Sequence, residues 1–240
     1  MVLGVVVTAN LEVPRSYEAL FDCFNEDPGL ARPVMTGDIF KNLETLDGKV
    51  NAMVVSHPCT MRGEGGVLGS RILVAKIREH KEIDKADLAE NHFSFFPFGT
   101  HPVKERKHGV VDFNATYPCT GDSLRDAERV ACLNSYGLSV LHQRYVYFLT
   151  RVSIKPAEFD AALRSPLLEA ELLQDWTEGY LSFNEVEEAT WEDVEEAAKQ
   201  FDEFVTPQMR DDLKTLDDEH HTIDAVRREI ESRYPPEDDA

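Results

Sequence analysis

The sequence predicts an α+β protein in three parts: a strand and helix at the start, a small β-barrel, and a helical region rich in acid. Three observations carry that expectation. Short β-rich runs separated by glycine turns recur at roughly ten-residue spacing, the pattern of a small barrel. After Ile154 the apolar spacing becomes helical. The charge divides at the same place: residues 1–150 hold 16 Lys and Arg against 19 Asp and Glu, a net of −3, and residues 151–240 hold 9 against 26, a net of −17.

At 42% hydrophobic residues the chain has enough apolar side chain for a core. No run nears the roughly 18 apolar residues of a membrane span. Met1 to Val7 is apolar and β-branched without the basic start of a signal peptide, so a strand and a cytoplasmic location are expected. Pro14 would open a helix carrying Tyr17, Leu20, Phe21 and Phe24, and Asp27-Pro28-Gly29 would end it. This first unit is placed at residues 1–34.

The barrel is expected over residues 35–155. Its candidate strands are 38–40, 51–56, 71–77, 92–98, 109–114, 129–133 and 145–152, with helices at 81–91 and 138–144 between them. The turns are Asp47-Gly48, Gly63-Glu64-Gly65-Gly66, Gly99-Thr100-His101-Pro102 and Cys119-Thr120-Gly121-Asp122.

Residues 156–234 form the acidic helical region. Pro156 suits a first helical turn, Phe159, Leu163, Leu167, Leu168, Leu172 and Trp176 line one face, and Gly179 fits a stop. Thr190-Trp191-Glu192-Asp193 resembles a capping box with Asp as the acid. Trp191, Val194, Ala198, Phe201 and Val205 then follow at heptad-like spacing. Thr206-Pro207 breaks the helix before a third, carrying Met209, Leu213, Leu216, Ile223, Val226 and Ile230. An antiparallel hairpin results. Its seam either packs on the barrel or, through Trp191, Val194, Phe201, Leu213 and Leu216, docks a partner helix or a second copy of the chain. Residues 235–240 are read as a disordered tail.

Chemistry concentrates in one stretch, where the apolar run Met53-Val54-Val55-Ser56 enters His57-Pro58-Cys59-Thr60-Met61-Arg62-Gly63. Strand ends feeding loops are where sites are commonly built. Pro-Cys-Thr recurs at Pro118-Cys119-Thr120. Cys59 activated by His57 would be a nucleophile, with Arg62 close by. His57, Cys59 and Cys119 with one more histidine could instead form a zinc site, although the spacing is no standard knuckle. The default for both cysteines is a small apolar residue under a turn, and no cofactor is expected. Lys104, Arg106 and Lys107, bracketed by His101 and His108, form the one concentrated basic patch and could meet phosphate. Phe93, Phe95, Phe96 and Phe98 read as core, since no basic residue is interleaved. Nucleotide-binding loops, HExxH and GxSxG are absent from the sequence.

Gly37-Asp38-Ile39-Phe40 followed by Ala52-Met53-Val54-Val55-Ser56 resembles the opening of the PemK/MazF family. That resemblance implies an SH3-like barrel and a place in a prokaryotic toxin–antitoxin or phage-defence system. It also implies RNA cleavage, which in the family uses an arginine just before the Val-Val-Ser strand. Here that stretch is Asp47-Gly48-Lys49-Val50-Asn51-Ala52, with Lys49 the only cation. The expected function is therefore a non-catalytic regulatory component that meets a partner with a basic surface or a partner helix. The alternative is an RNA-cleaving toxin whose acidic helices cover its own groove.

Overall fold

The computed structural model describes residues 11–101 and 104–235. The strand expected at 1–7 and most of the expected tail lie outside them. Local turn chemistry sets the first hairpin. Gly48 sits at φ +97°, open to glycine at little cost, and returns β2 (Ile39–Thr45) as β3 (Gly48–Val54). Thr45 Oγ1 closes the turn on the Gly48 carbonyl at 2.8 Å.

Seven strands form one antiparallel sheet: β1 (Phe21–Phe24), β2, β3, β4 (Ile72–His80), β5 (Phe95–His101), β6 (Lys104–Cys119) and β7 (Glu128–Leu133). Their spatial order is β1-β7-β2-β3-β4-β6-β5, with β1 and β5 at the two edges. Both faces of the sheet contribute buried residues along its central strands, whereas Lys and Glu positions such as Lys49 and Glu44 stay exposed. Phe40, Leu43, Ala52, Val54, Ile72, Val74 and Cys119 build one core with Val34 and Met61. Ile39, Met53, Ala75, Ile77, Val111 and Phe113 build the other against Leu138, Val140 and Leu141 of α4 (Ser135–Thr150).

Short helices fill the connections: α1 (Pro58–Met61), α2 (Lys85–Glu90) and α3 (Gly121–Arg125). The last third is helical: α5 (Pro156–Phe183), α6 (Trp191–Phe204), α7 (Pro207–Asp212) and α8 (Glu219–Arg233). The Thr190–Asp193 capping box is present in both directions. No helix among the described residues is long and apolar enough to cross a membrane.

Several elements depart from expectation, each for a physical reason. Tyr17, Leu20, Phe21 and Phe24 do not share a helix, because pairing with β7 takes 21–24 into a strand after a single 3₁₀ turn at Glu18–Leu20. Residues 145–152 are not a strand. Their aromatic run is the end of α4, where Tyr145 and Phe148 lie against Phe113 and the left-handed Arg151 stops the helix. Gly179 does not end α5. The position favours glycine because Ile230 and Tyr234 approach within 3.0 and 3.2 Å of where a Cβ would sit. The expected third helix is two, α7 and α8, with a turn at 213–218 between them. Nor do α6 and α8 form a closed hairpin: both pack on α5. Trp176, Phe201, Val205, Leu213 and Val226 make the shared core.

Candidate functional site

The stretch singled out by composition does become a structured loop. His57 caps α1 by accepting the Cys59 N–H on Nδ1 at 3.3 Å, and Thr60 Oγ1 returns to the His57 carbonyl at 2.8 Å. Pro58 is at home in the first helical turn, where its missing donor costs nothing. Met61 is buried and anchors the turn in the core, leaving Cys59 exposed. Gly65 and Gly66, both at φ +71°, then bend the chain under α6.

Asp38 positions the wall opposite. Its carboxylate, fully buried, accepts from the Met35 N–H at 3.0 Å, Arg32 at 3.0 Å and Arg129 at 3.1 Å. Arg129 also donates to the carbonyls of Gly29, Arg32 and Pro33 at 2.6, 2.8 and 3.4 Å. Burial works against the charge of Arg32, but Asp38 together with Cys132 and Asp22 outweighs it and lifts the guanidinium above its ordinary value. One buried carboxylate thus pins residues 29–36, and the Val34 carbonyl accepts Arg62 at 2.7 Å.

Between this wall, α1 and the acidic helices lies a cleft of about 310 Å³. Cys59 and Arg62 line one side; Glu169 of α5, Asp202 of α6 and Arg210 of α7 line the other. Arg210 bridges the two carboxylates, reaching Glu169 at 2.8 Å and Asp202 at 2.6 Å. Burial opposes the Arg210 charge, yet these bonds raise its pKa. Arg62 fares the other way: burial lowers its pKa, and the more distant Glu169 and Asp38 only partly offset that. Pro166, which leaves the Ala162 carbonyl without its helical donor, also faces the cleft, near the point where α5 passes from α4 to its contacts with α6 and α8.

Helix α6 is fastened to this loop. Asp202 accepts the Gly65 N–H at 3.1 Å, and Ala198 lies against Gly66. Trp191 Nε1 donates to the Arg125 carbonyl at 3.1 Å, and Arg125 forms an ion pair with Glu195. The contact is small and close: a Cβ on Gly66 would sit 3.4 Å from the Ala198 Cβ.

The expected site residues separate on this frame. Cys59 and Arg62 share the cleft, whereas His57 is occupied as a cap and makes no hydrogen bond to the Cys59 thiol. Cys119 lies in the sheet core, its thiol pushed up to about 11 by burial. Among the described residues no three His, Cys, Asp or Glu side chains are placed to hold a metal, so His57, Cys59 and Cys119 do not converge as ligands. The segment carrying Lys104, Arg106 and Lys107 opens β6, whereas the cleft loop adjoins its other end through the Ile72–Cys119 pairing, on the order of 40 Å of strand away. Of the seam, Val194, Phe201 and Leu213 are buried in the chain's own core and Trp191 is half-buried. Leu216, 70% exposed, is the one free to meet a partner.

Three cleft residues escaped sequence reasoning: Glu169, Asp202 and Arg210. They lie more than a hundred residues from Arg62 in the chain, and no local pattern signals them. Of the phenylalanines read as core, Phe96 and Phe98 are buried and Phe93 and Phe95 pack against buried clusters; the Arg78 guanidinium also lies 5.0 Å from the Phe95 ring centroid. No family model matches the chain, and no curated protein matches it in sequence.

Proposed function

We propose that this chain is a non-catalytic regulatory component of a prokaryotic stress-response or phage-defence system, acting through a protein partner that carries a basic surface. The observation that carries the proposal is the one-sided packing of the acidic helices. Leu216 apart, their apolar seam is spent inside the chain, while Glu185, Glu187, Glu188, Glu192 and Glu196 stay exposed along α6 and the segment before it. Complementary charge is what such a face selects. The cleft offers little for catalysis. Arg62 is tied to a backbone carbonyl, Cys59 has no base bonded to it, and Arg210 is neutralised by two carboxylates.

Support for a PemK/MazF-like sheet comes from the resemblance segments being neighbours. Ile39 pairs with Met53 across β2 and β3, and the Val54 N–H donates to the Asp38 carbonyl at 2.9 Å. The run β7-β2-β3-β4-β6 lies within an open sheet edged by β1 and β5, so the likeness extends to neighbouring strands and not to a closed barrel. Fold likeness alone assigns no activity.

A second reading, an endoribonuclease held shut by its own helices, is favoured by one observation: α6 sits directly over the loop that bears Cys59 and Arg62. Incubating RNA with the purified chain and with an Ala198→Phe variant, which wedges α6 from Gly66, separates the two. Intact RNA with both proteins is the expected result. RNA cut by the variant alone would replace the first proposal with the second.

A further inference from the structure

The four cysteines are all free thiols, and two of them face each other across strands. Cys23 on the edge strand β1 is directly opposite Cys132 on β7, and Phe24 opposite Ala131 continues the register. Two residues further on, the Asn25 N–H donates to the Val130 carbonyl at 2.8 Å. Cys23 and Cys132 are the pair at the end of this register, next to a bulge between Phe21 and Cys23. Residues directly opposite each other in an antiparallel ladder hold their Cα atoms about 4.5–5.5 Å apart with side chains on one face. That separation lies inside the roughly 4.4–6.8 Å window of a disulfide.

The two thiols differ in access. Cys132 is fully buried and Cys23 partly exposed on a four-residue edge strand. Burial and the neighbouring Asp38 carboxylate push the Cys132 thiol up, while Arg32 and Arg129 pull against them. The exposed partner is thus the one an oxidant meets first, and the buried one is placed to resolve it.

We infer that Cys23 and Cys132 form a reversible cross-strand disulfide when the chain meets a small-molecule disulfide. The Cys23 thiolate attacks one sulfur of the oxidant and releases a small thiolate, leaving a mixed disulfide. Cys132 then attacks the Cys23 sulfur, its proton passing to the released thiolate, and a second small thiol leaves as the bond between Cys23 and Cys132 closes. Two protein thiols are oxidised and one small disulfide is reduced to two thiols. The bond would staple the edge strand β1 to β7, which carries Arg129 and through it the 29–33 segment beside the cleft. Staple and cleft are separate claims: failure of either leaves the other standing.

The test uses the full chain and glutathione disulfide. After oxidation, alkylation in denaturant should count two thiols in place of four. Peptide mapping should find Cys23 linked to Cys132, and dithiothreitol should restore all four. In a Cys132→Ala variant, Cys23 should remain as a mixed disulfide with glutathione. If the wild-type chain keeps four alkylatable thiols, if Cys23 keeps glutathione while Cys132 stays free, or if the linkage joins Cys59 or Cys119, the inference is overturned. The wild-type measurements decide even where the variant folds poorly.

Discussion

Replacing Asp38 by Ala removes the buried carboxylate on which the 29–36 wall converges. The carboxylate is fully buried and serves three donors: Met35 N–H, Arg32 and Arg129. Removing one member of a buried ion pair costs about 3–5 kcal/mol, because the remaining charge stays out of water without its partner. Arg129 is that charge, with a side chain only 6% exposed. It keeps three backbone carbonyls as acceptors, which moderates its loss. Arg32, at 18%, can turn towards Asp22, 3.8 Å away. The lower end of the range, about 3 kcal/mol, is therefore expected. For a chain of this size each kcal/mol moves the midpoint by roughly 2–4 °C, so Tm should drop by about 6–12 °C in a thermal scan followed by circular dichroism. Asp38→Asn, which keeps an acceptor oxygen but no charge, should fall between wild type and Asp38→Ala. A drop under about 2 °C for Asp38→Ala would refute the hub that pins residues 29–36.

Other expectations follow from single contacts. Ala198→Phe overpacks the contact with Gly66 and should cost about 1–3 kcal/mol in urea unfolding. Gly137→Ala puts a Cβ 2.1 Å from the Leu20 carbonyl oxygen, so α4 must shift from the 3₁₀ turn before β1; a lowered midpoint together with lost protection at 20–24 would show it. At pH 8 a thiol reagent should label Cys59 promptly and spare Cys119, whose thiol is raised to about 11, until the chain unfolds. Asp193 is held below its ordinary value first by the Thr190 hydroxyl and then by the Thr190 N–H. Its folded pKa is depressed, so its contribution is complete above the unfolded value near 4 and is lost as pH falls through the folded one. Thr190→Ala should flatten that acid-side slope, read as α6 helicity between about pH 5 and 2.

Much of the helical third was legible because its signals are local. Pro156, the Thr190–Asp193 box and the Thr206-Pro207 break each act within a few residues, and each falls at a helix start or end. The failures share one cause, a distant partner that overrides a local pattern. Phe21 and Phe24 fit a helical stripe until β7 pairs with them, and Tyr145 to Phe148 look β-prone until Phe113 takes them as a helix face. Gly179 shows the same limit, since a stop and a close approach by Ile230 leave an identical mark in sequence. Of the cleft, the Cys59–Arg62 turn could be found from composition. Its acidic roof could not, because Glu169 and Asp202 are two among 26 acids in residues 151–240. What selects them is their geometry about Arg210.

The seating of α6 on the 63–66 loop is open to direct measurement by hydrogen exchange of the intact chain. The Gly65 N–H, bonded to Asp202 at 3.1 Å, should exchange slowly in the wild type and much faster in Asp202→Ala, while Met53 and Val54 in β3 are unchanged. Equal, fast exchange at Gly65 in both proteins would contradict the contact, and with it the idea that the chain's own acidic helices cover this loop.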